Sequence, residues 1–182
     1  MKPLFSNAIL RLLPLLLLMI IMHNCGKKNN EKREFLQKIV KTEQELDSIR
    51  RIRPDEKEKT YELIGYYIQF SETYKTDSAA PVFLYRAAEN SLYINQPLQS
   101  INYLKQIEND YPHFPNLGNV LFLIGFTYEN NLRNIVDARI YYERFIQKFP
   151  DHPLAADTKI LLQNLGKTPE ELIKQFEANK NQ

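Results

Sequence analysis

The sequence predicts an all-α protein, a solenoid of about three helical hairpins followed by C-terminal capping helices. Composition points there first. The 182 residues include only 5 Gly beside 10 Phe and 11 Tyr, with Leu, Glu, Lys and Gln throughout, which favours helices over a turn-rich β fold. Hydrophobic residues at 43% and charged residues at 25% exclude wholesale disorder. Apolar positions recur at spacings of three and four, the helical period. A longer period overlies it: Tyr111-Pro112 and Phe149-Pro150 lie 38 residues apart, as do Pro115 and Pro153. Helix–turn–helix units that repeat in the thirties build solenoids.

The first element is an address. Met1–Arg11 carries Lys2 and Arg11 and no acid, and Leu12–Met22 is apolar, broken only by Pro14. This is the charged head and short apolar body of a secretory signal over residues 1–24. The run is shorter than the ~20 apolar residues that span a bilayer. Met22-His23-Asn24-Cys25-Gly26 resembles the lipobox of a bacterial lipoprotein signal, with Asn24 where Gly, Ala or Ser is usual. The resemblance implies cleavage before Cys25, the only Cys of the chain, and its modification by diacylglyceryl and N-acyl (palmitate) groups. More than one acyl chain gives stable anchoring. Gly26 rather than Asp after the Cys implies sorting to the outer membrane. The alternatives are an uncleaved membrane anchor and an ordinary signal with an incidental Cys. Residues 25–30 would form the lipidated Cys and a short polar tether.

Residues 31–53 predict an amphipathic helix, with Phe35, Leu36, Ile39, Val40, Leu46, Ile49 and Ile52 on one face. Pro54 stops it, and Asp55-Glu56 favours a new helix start. Residues 55–179 form the repeat domain. Its breaks are expected at Lys75–Ser78, Asn95–Pro97, Pro112–Asn116, Asn130–Asn134 and Phe149–Pro153. A helix over Leu154–Leu165 should end at Gly166, a residue suited to a left-handed cap. Thr168-Pro169-Glu170-Glu171 then opens a last helix over Pro169–Glu177, with a hydroxyl cap, Pro in the first turn and acids at the positive end.

One unit matches a known template. Leu121, Ile124, Gly125, Tyr128, Ala138, Tyr142 and Pro150 resemble W-x₂-L-G-x₂-Y…A-x₃-F…P, the tetratricopeptide repeat (TPR) pattern, with Leu for Trp and one extra residue in the turn. The preceding unit fits more loosely through Leu84, Ala88, Ser100, Leu104 and Pro112. A third pairs the Leu46–Ile49 helix with Leu63, Tyr67 and Phe70. Small residues such as Gly125 and Ala138 belong where the helices of a hairpin cross, letting backbones approach to ~8–10 Å. From about Lys57 onward the chain resembles bacterial envelope TPR lipoproteins, such as that of the outer-membrane barrel-assembly machinery, and the TPR domain of the Tol–Pal coordinator. Tyr111-Pro112-His113, Ala138 to Ile146 and Phe149-Pro150-Asp151-His152-Pro153 carry the likeness. It implies a scaffold at the outer membrane, facing the periplasm, that binds other envelope proteins in barrel assembly or envelope maintenance.

The residue inventory argues against catalysis. There is no Gly-rich phosphate loop, nucleophile elbow or Cys–His pair. His113 and His152 read as surface turn residues, and no metal or other cofactor is expected. Thr60 onward holds eleven basic and fourteen acidic residues, which speaks against nucleic acid. What remains is surface. If the template alignment holds, the first helix of each hairpin turns Val82, Tyr85, Glu89, Leu92 and Tyr93, then Asn119, Phe122, Phe126, Glu129 and Asn130, toward a partner-binding groove. A rival reading has the rings among these merely pack against neighbouring hairpins. A rival function is capture of a small ligand or peptide, although the chain has no Trp to stack on sugars.

Overall fold

The computed structural model describes residues 29–53 and 56–180. Every regular element among them is a helix, and the chain falls into two units that part between Glu56 and Lys57. The signal, Cys25 and Pro54-Asp55 lie outside the described residues.

In the first unit, α1 spans residues 29–50. It begins inside the expected tether and stops short of Pro54. The amides of Ile52 and Arg53 turn back to the Ile49 carbonyl at 3.0 and 2.7 Å and close the end. Ile39, Thr42 and Leu46 form its buried stripe. Val40 and Ile52, expected on that face, are exposed, because the helix is rotated to centre on Ile39 and Leu46 and has ended before Ile52.

The second unit holds α2 (Glu58–Thr73), α3 (Ala80–Tyr93), α4 (Pro97–Asp110), α5 (Leu117–Asn130), α6 (Ile135–Lys148), α7 (Ala155–Asn164) and α8 (Pro169–Lys180). From α2 to α7 each helix packs on the next, and α3/α4 and α5/α6 are complete hairpins. The ends of α2, α4 and α6 repeat one geometry. Tyr74, Tyr111 and Phe149 adopt φ/ψ of −121/50, −131/60 and −133/61, and each amide donates four residues back, to Phe70, Ile107 and Phe145. An aromatic cap thus ends each second helix, and the chain leaves at a constant angle.

The hairpin turns are short. Asn95 (φ 61) and Arg133 (φ 54) take the left-handed conformation, one in each turn. Asn tolerates it; Arg does so against the usual Cβ clash, and its turn is the one with the extra residue. Asn134 starts α6 by accepting the Asp137 amide at 3.1 Å.

The core runs along the stack through Leu84, Ala88, Leu104, Ile107, Leu121, Ile124, Tyr142 and Phe145. Buried hydroxyls are satisfied locally: Ser91 and Thr127 donate to carbonyls one turn back at 2.7 Å. Ser71 reaches both Tyr67 O and Ala80 O at 2.9 Å and so ties α2 to α3. Beyond α7, Gly166 has φ 83 and reverses the chain. Thr168 and Glu171 then cap α8 reciprocally, each side chain accepting the other's amide, at 2.8 and 3.2 Å. The helix continues to Lys180, past the expected end at Glu177. No helix of the described residues is long and apolar enough to cross a membrane.

Candidate partner-binding site

The ten residues assigned to a groove lie on α3 and α5, the first helices of the two complete hairpins. Val82, Tyr93 and Phe126 are 38%, 49% and 39% exposed. Glu89 and Asn130 are also exposed, whereas Tyr85, Leu92, Asn119, Phe122 and Glu129 are half-buried. Phe122 joins surface to core: its ring centroid lies 6.0 Å from those of Phe126 and Tyr142 and 5.9 Å from that of Phe145. Asn119 and Asn130 are turned onto their own helix, donating to Asn116 Oδ1 at 3.0 Å and Phe126 O at 3.1 Å.

The acids of this face differ. Glu129 accepts the Tyr142 hydroxyl at 2.7 Å, fastening α6 to α5; burial, and then that bond, push the phenol's pKa well above its usual range. Glu89 lies one turn after Tyr85. Burial raises the Glu89 carboxyl, with Arg86 opposing, and raises the Tyr85 phenol to about 12, with the Glu89 charge adding to it.

The repeat residues behind this face, Leu84, Ala88, Ser100, Leu104, Leu121, Ile124, Gly125, Tyr128, Ala138 and Tyr142, are all buried, while Pro112 and Pro150 sit exposed in the turns. A Cβ on Gly125 would stand 2.7 Å from Tyr142 Cδ1, so only glycine lets the ring lie this close to α5. Ser100 stands apart: its buried hydroxyl has no hydrogen-bond partner among the described residues.

Sequence reasoning missed two arrangements. Lys105 of α4 donates to the Tyr128 hydroxyl at 3.0 Å and lies 5.5 and 5.8 Å from the ring centroids of Tyr128 and Tyr141. Arg144 covers Tyr141 at 4.9 Å and pairs with Glu108. Together they clasp one hairpin to the next. The other concerns the histidines. His113 is exposed, but His152 is half-buried. Its ring meets Phe145 edge-on at 5.1 Å, and Nδ1 accepts the Leu154 amide at 3.2 Å. It is a packing residue rather than a solvated turn residue, because Gly118 leaves room for it: a Cβ there would be 2.9 Å from His152 Cδ2. One repeat earlier, Pro81 and Phe114 hold the matching positions, and a cleft of about 460 Å³ opens between the turns, lined by Lys75, Pro81, Tyr111 and Phe114 among others. No group of three or more His, Cys, Asp or Glu among the described residues is placed to hold a metal ion.

Stacked antiparallel helix pairs with aromatic end caps define an α-helical repeat protein, a class that presents extended surfaces to other proteins. Residues 119–152, which cover most of α5, all of α6 and the start of the turn after it, match the family model described as tetratricopeptide repeat. The fold is therefore an all-α solenoid of TPR type, and repeats of this type serve as protein–protein interaction scaffolds rather than catalysts. No curated protein and no solved structure matches the chain.

Proposed function

We propose that the chain is a cell-envelope scaffold lipoprotein. In this reading it is lipidated at Cys25, held at the outer membrane and turned to the periplasm, and it gathers other envelope proteins on the α3/α5 face. The observation that carries the scaffold role is apolar surface on first helices: Val82, Tyr93 and Phe126 are more than a third exposed while the same helices pack the core with their other faces. Aromatic anchors of this kind dominate protein contacts. Support for the lipid anchor comes from the Met22–Gly26 sequence and the placement of the single Cys at the end of the apolar run. The role in barrel assembly or envelope maintenance rests on the resemblance to envelope TPR lipoproteins.

A photo-crosslinker placed at Phe126 in cells should trap a discrete envelope protein, and Cys25→Ser should move the chain from the membrane fraction to the soluble fraction and abolish labelling by radioactive palmitate. A chain that stays in the membrane fraction after loss of Cys25, or a wild-type chain that takes up no palmitate, would remove the lipoprotein reading. The turn cleft favours a second reading, capture of a small ligand, since its volume falls in the usual range of ~300–1,000 Å³ for such sites. Saturable small-molecule binding without any crosslinked partner would select it.

A further inference from the structure

The second helices, α2, α4 and α6, carry a ladder of apolar side chains. Tyr61, Leu98 and Val136 each stand thirteen residues before the aromatic cap of their helix and so hold one repeat position. They are 50%, 65% and 71% exposed. A lone exposed apolar residue is ordinary, but the same place filled in three successive repeats makes a row. Contacts between the helices set the rungs side by side. Gln96, the residue before α4, donates from Nε2 to the Tyr61 hydroxyl at 3.1 Å, across a separation of 35 residues. Arg144 of α6 pairs with Glu108 of α4 across 36 residues, and Lys105 lies 5.8 Å from the Tyr141 ring centroid across the same separation. Two contacts of equal separation require α4 and α6 to run in one direction, and α2 meets α4 with almost the same offset.

We propose that this ladder is the contact face of a two-fold dimer, its occupant a second copy of the chain. Repeats of near-equal length set the rungs at near-equal pitch, so a two-fold axis along α4 returns rung to rung. Leu98 then meets its own copy, and Tyr61 meets the partner's Val136. The neighbouring levels match under the same rotation. One turn further along the helices stand Gly65, Asn102 and Ile140, all exposed. A Cβ on Gly65 would meet nothing within 4 Å, so open space lies where the partner's Ile140 arrives. Asn102 meets Asn102, an amide that both donates and accepts. One turn before the ladder, exposed Glu58 faces the partner's Arg133, also exposed. The like-charged level, Glu62 against Asp137, is compensated within each chain: Lys59 and the Tyr66 hydroxyl hold Glu62 at 2.9 and 2.8 Å, and the Asn134 amide holds Asp137 at 2.7 Å. At the centre, α4 has no charged residue from Pro97 to Leu104, which suits the desolvated middle of an interface. An apolar row alone would also suit a lipid surface or an unrelated protein. The match of Gly65 with Ile140 and of Glu58 with Arg133, each at equivalent positions two repeats apart, selects the chain itself. This face draws on none of the α3 and α5 residues of the candidate partner site.

The test uses the full chain with Cys25→Ser, in which an introduced cysteine is the sole thiol. Under mild oxidation with copper phenanthroline, Leu98→Cys lies on the axis and should give a disulfide-linked dimer by itself. Val136→Cys should not, but mixed with Tyr61→Cys it should give the mixed dimer. Leu98→Glu sets two acids against each other and should weaken the dimer at least about tenfold in sedimentation equilibrium, with the helical circular dichroism unchanged. Glu58→Arg and Arg133→Glu should each weaken it, and the double variant should restore it. A chain that sediments as a monomer at about 100 μM would overturn the dimer. A monomer that binds phosphatidylcholine vesicles, and loses them with Leu98→Glu, would overturn it in favour of a lipid surface. A dimer that crosslinks through Val136→Cys alone and not through Leu98→Cys would overturn this axis.

Discussion

Between the turn after α4 and the turn after α6, the His152 imidazole lies on Gly118 and against Phe145, and the joint is closed. Between the turn after α2 and the turn after α4, Phe114 and Pro81 stand where His152 and Gly118 stand one repeat later, and a cleft of about 460 Å³ remains. The backbone plan is the same, since both joints follow an aromatic cap of nearly identical φ/ψ. The difference lies in the pair that meets there: Pro81 occupies the space that Gly118 leaves to the His152 ring, and Phe114 stands in place of His152. The second helices continue the contrast. Lys105 crosses from α4 onto the stacked Tyr128 and Tyr141 rings of the following hairpin, and Arg144 of α6 covers Tyr141 and reaches back to Glu108 of α4, whereas Tyr61 of α2 takes an exposed bond at 3.1 Å from Nε2 of Gln96, the residue before α4. In a repeat array stability is a sum of local joints, so the α5/α6 repeat should be the firmer and the α2/α3 side the softer.

The strongest way to break this comparison is at the hairpin that anchors the firm side. Gly125→Leu drives a side chain into the Tyr142 ring, 2.7 Å from where its Cβ would stand, and should cost about 1–3 kcal/mol through overpacking. A denaturant melt unchanged by it would mean that Tyr142 has room to move, and the tight crossing would lose its importance.

Next is the closed joint itself. Gly118→Val should displace His152 and convert this joint into a copy of the open one, at a cost of about 1–2 kcal/mol. Amide exchange should quicken at Leu154 and Ala155, whose amides turn back onto His152. Gly65→Ala is the internal contrast: its Cβ would meet nothing within 4 Å on the exposed face of α2, and it should stabilise by about 0.5–1 kcal/mol. If both glycines respond alike, the closeness of His152 is not what distinguishes the joints.

A smaller effect is expected at the clasp. Lys105→Met removes a cation shared by two rings and should cost about 0.5–1.5 kcal/mol. The bond to the Tyr128 hydroxyl raises the Lys105 pKa above its usual value, with burial opposing. A raised lysine contributes its stability below the unfolded pKa of ~10.4 and loses it as pH climbs through the folded value. The gap between wild type and Lys105→Met in urea should therefore narrow above about pH 10, and a gap that widens there would contradict the hydrogen bond.

How much of this was open to sequence reasoning follows from distance along the chain. Gly125 and Tyr142 lie within one repeat template, so helical spacing alone brings a small residue and a large one to the crossing. The fold class and the course of α2 to α7 follow from the same periodicity. Gly118 and His152 lie almost a full period apart, and His152 sits in a turn, where the template leaves side-chain direction unspecified; it therefore read as a surface residue. Lys105 was missed because a long side chain reaches across to the next hairpin, which spacing within one helix does not encode. The displaced ends of α1 and α8 reflect caps: the Thr168–Glu171 box starts α8 where expected, but no sequence signal marks where a fraying end stops. As for the candidate site, the positions on α3 and α5 are legible from helical phase. That Glu129 is tied to the Tyr142 hydroxyl appears only once the rings are in place.

The smallest effect concerns the α3/α4 hairpin, next to the firm repeat. Ser100 and Ala138 are 38 residues apart and occupy the same place at the start of α4 and α6, both fully buried. The Ser91 and Thr127 hydroxyls return a hydrogen bond to their own helices, but the Ser100 hydroxyl has no partner among the described residues. A buried hydroxyl without a partner keeps its desolvation cost with nothing set against it. Ser100→Ala also improves helix propensity and leaves little cavity. It should therefore raise the stability of the α3/α4 hairpin by up to about 1 kcal/mol and make it more like the α5/α6 hairpin, seen as a higher denaturation midpoint at constant m-value. Loss of stability instead would show that the hydroxyl is bonded in solution, and the two repeats would then differ less in their polar bookkeeping than in the packing of their turns.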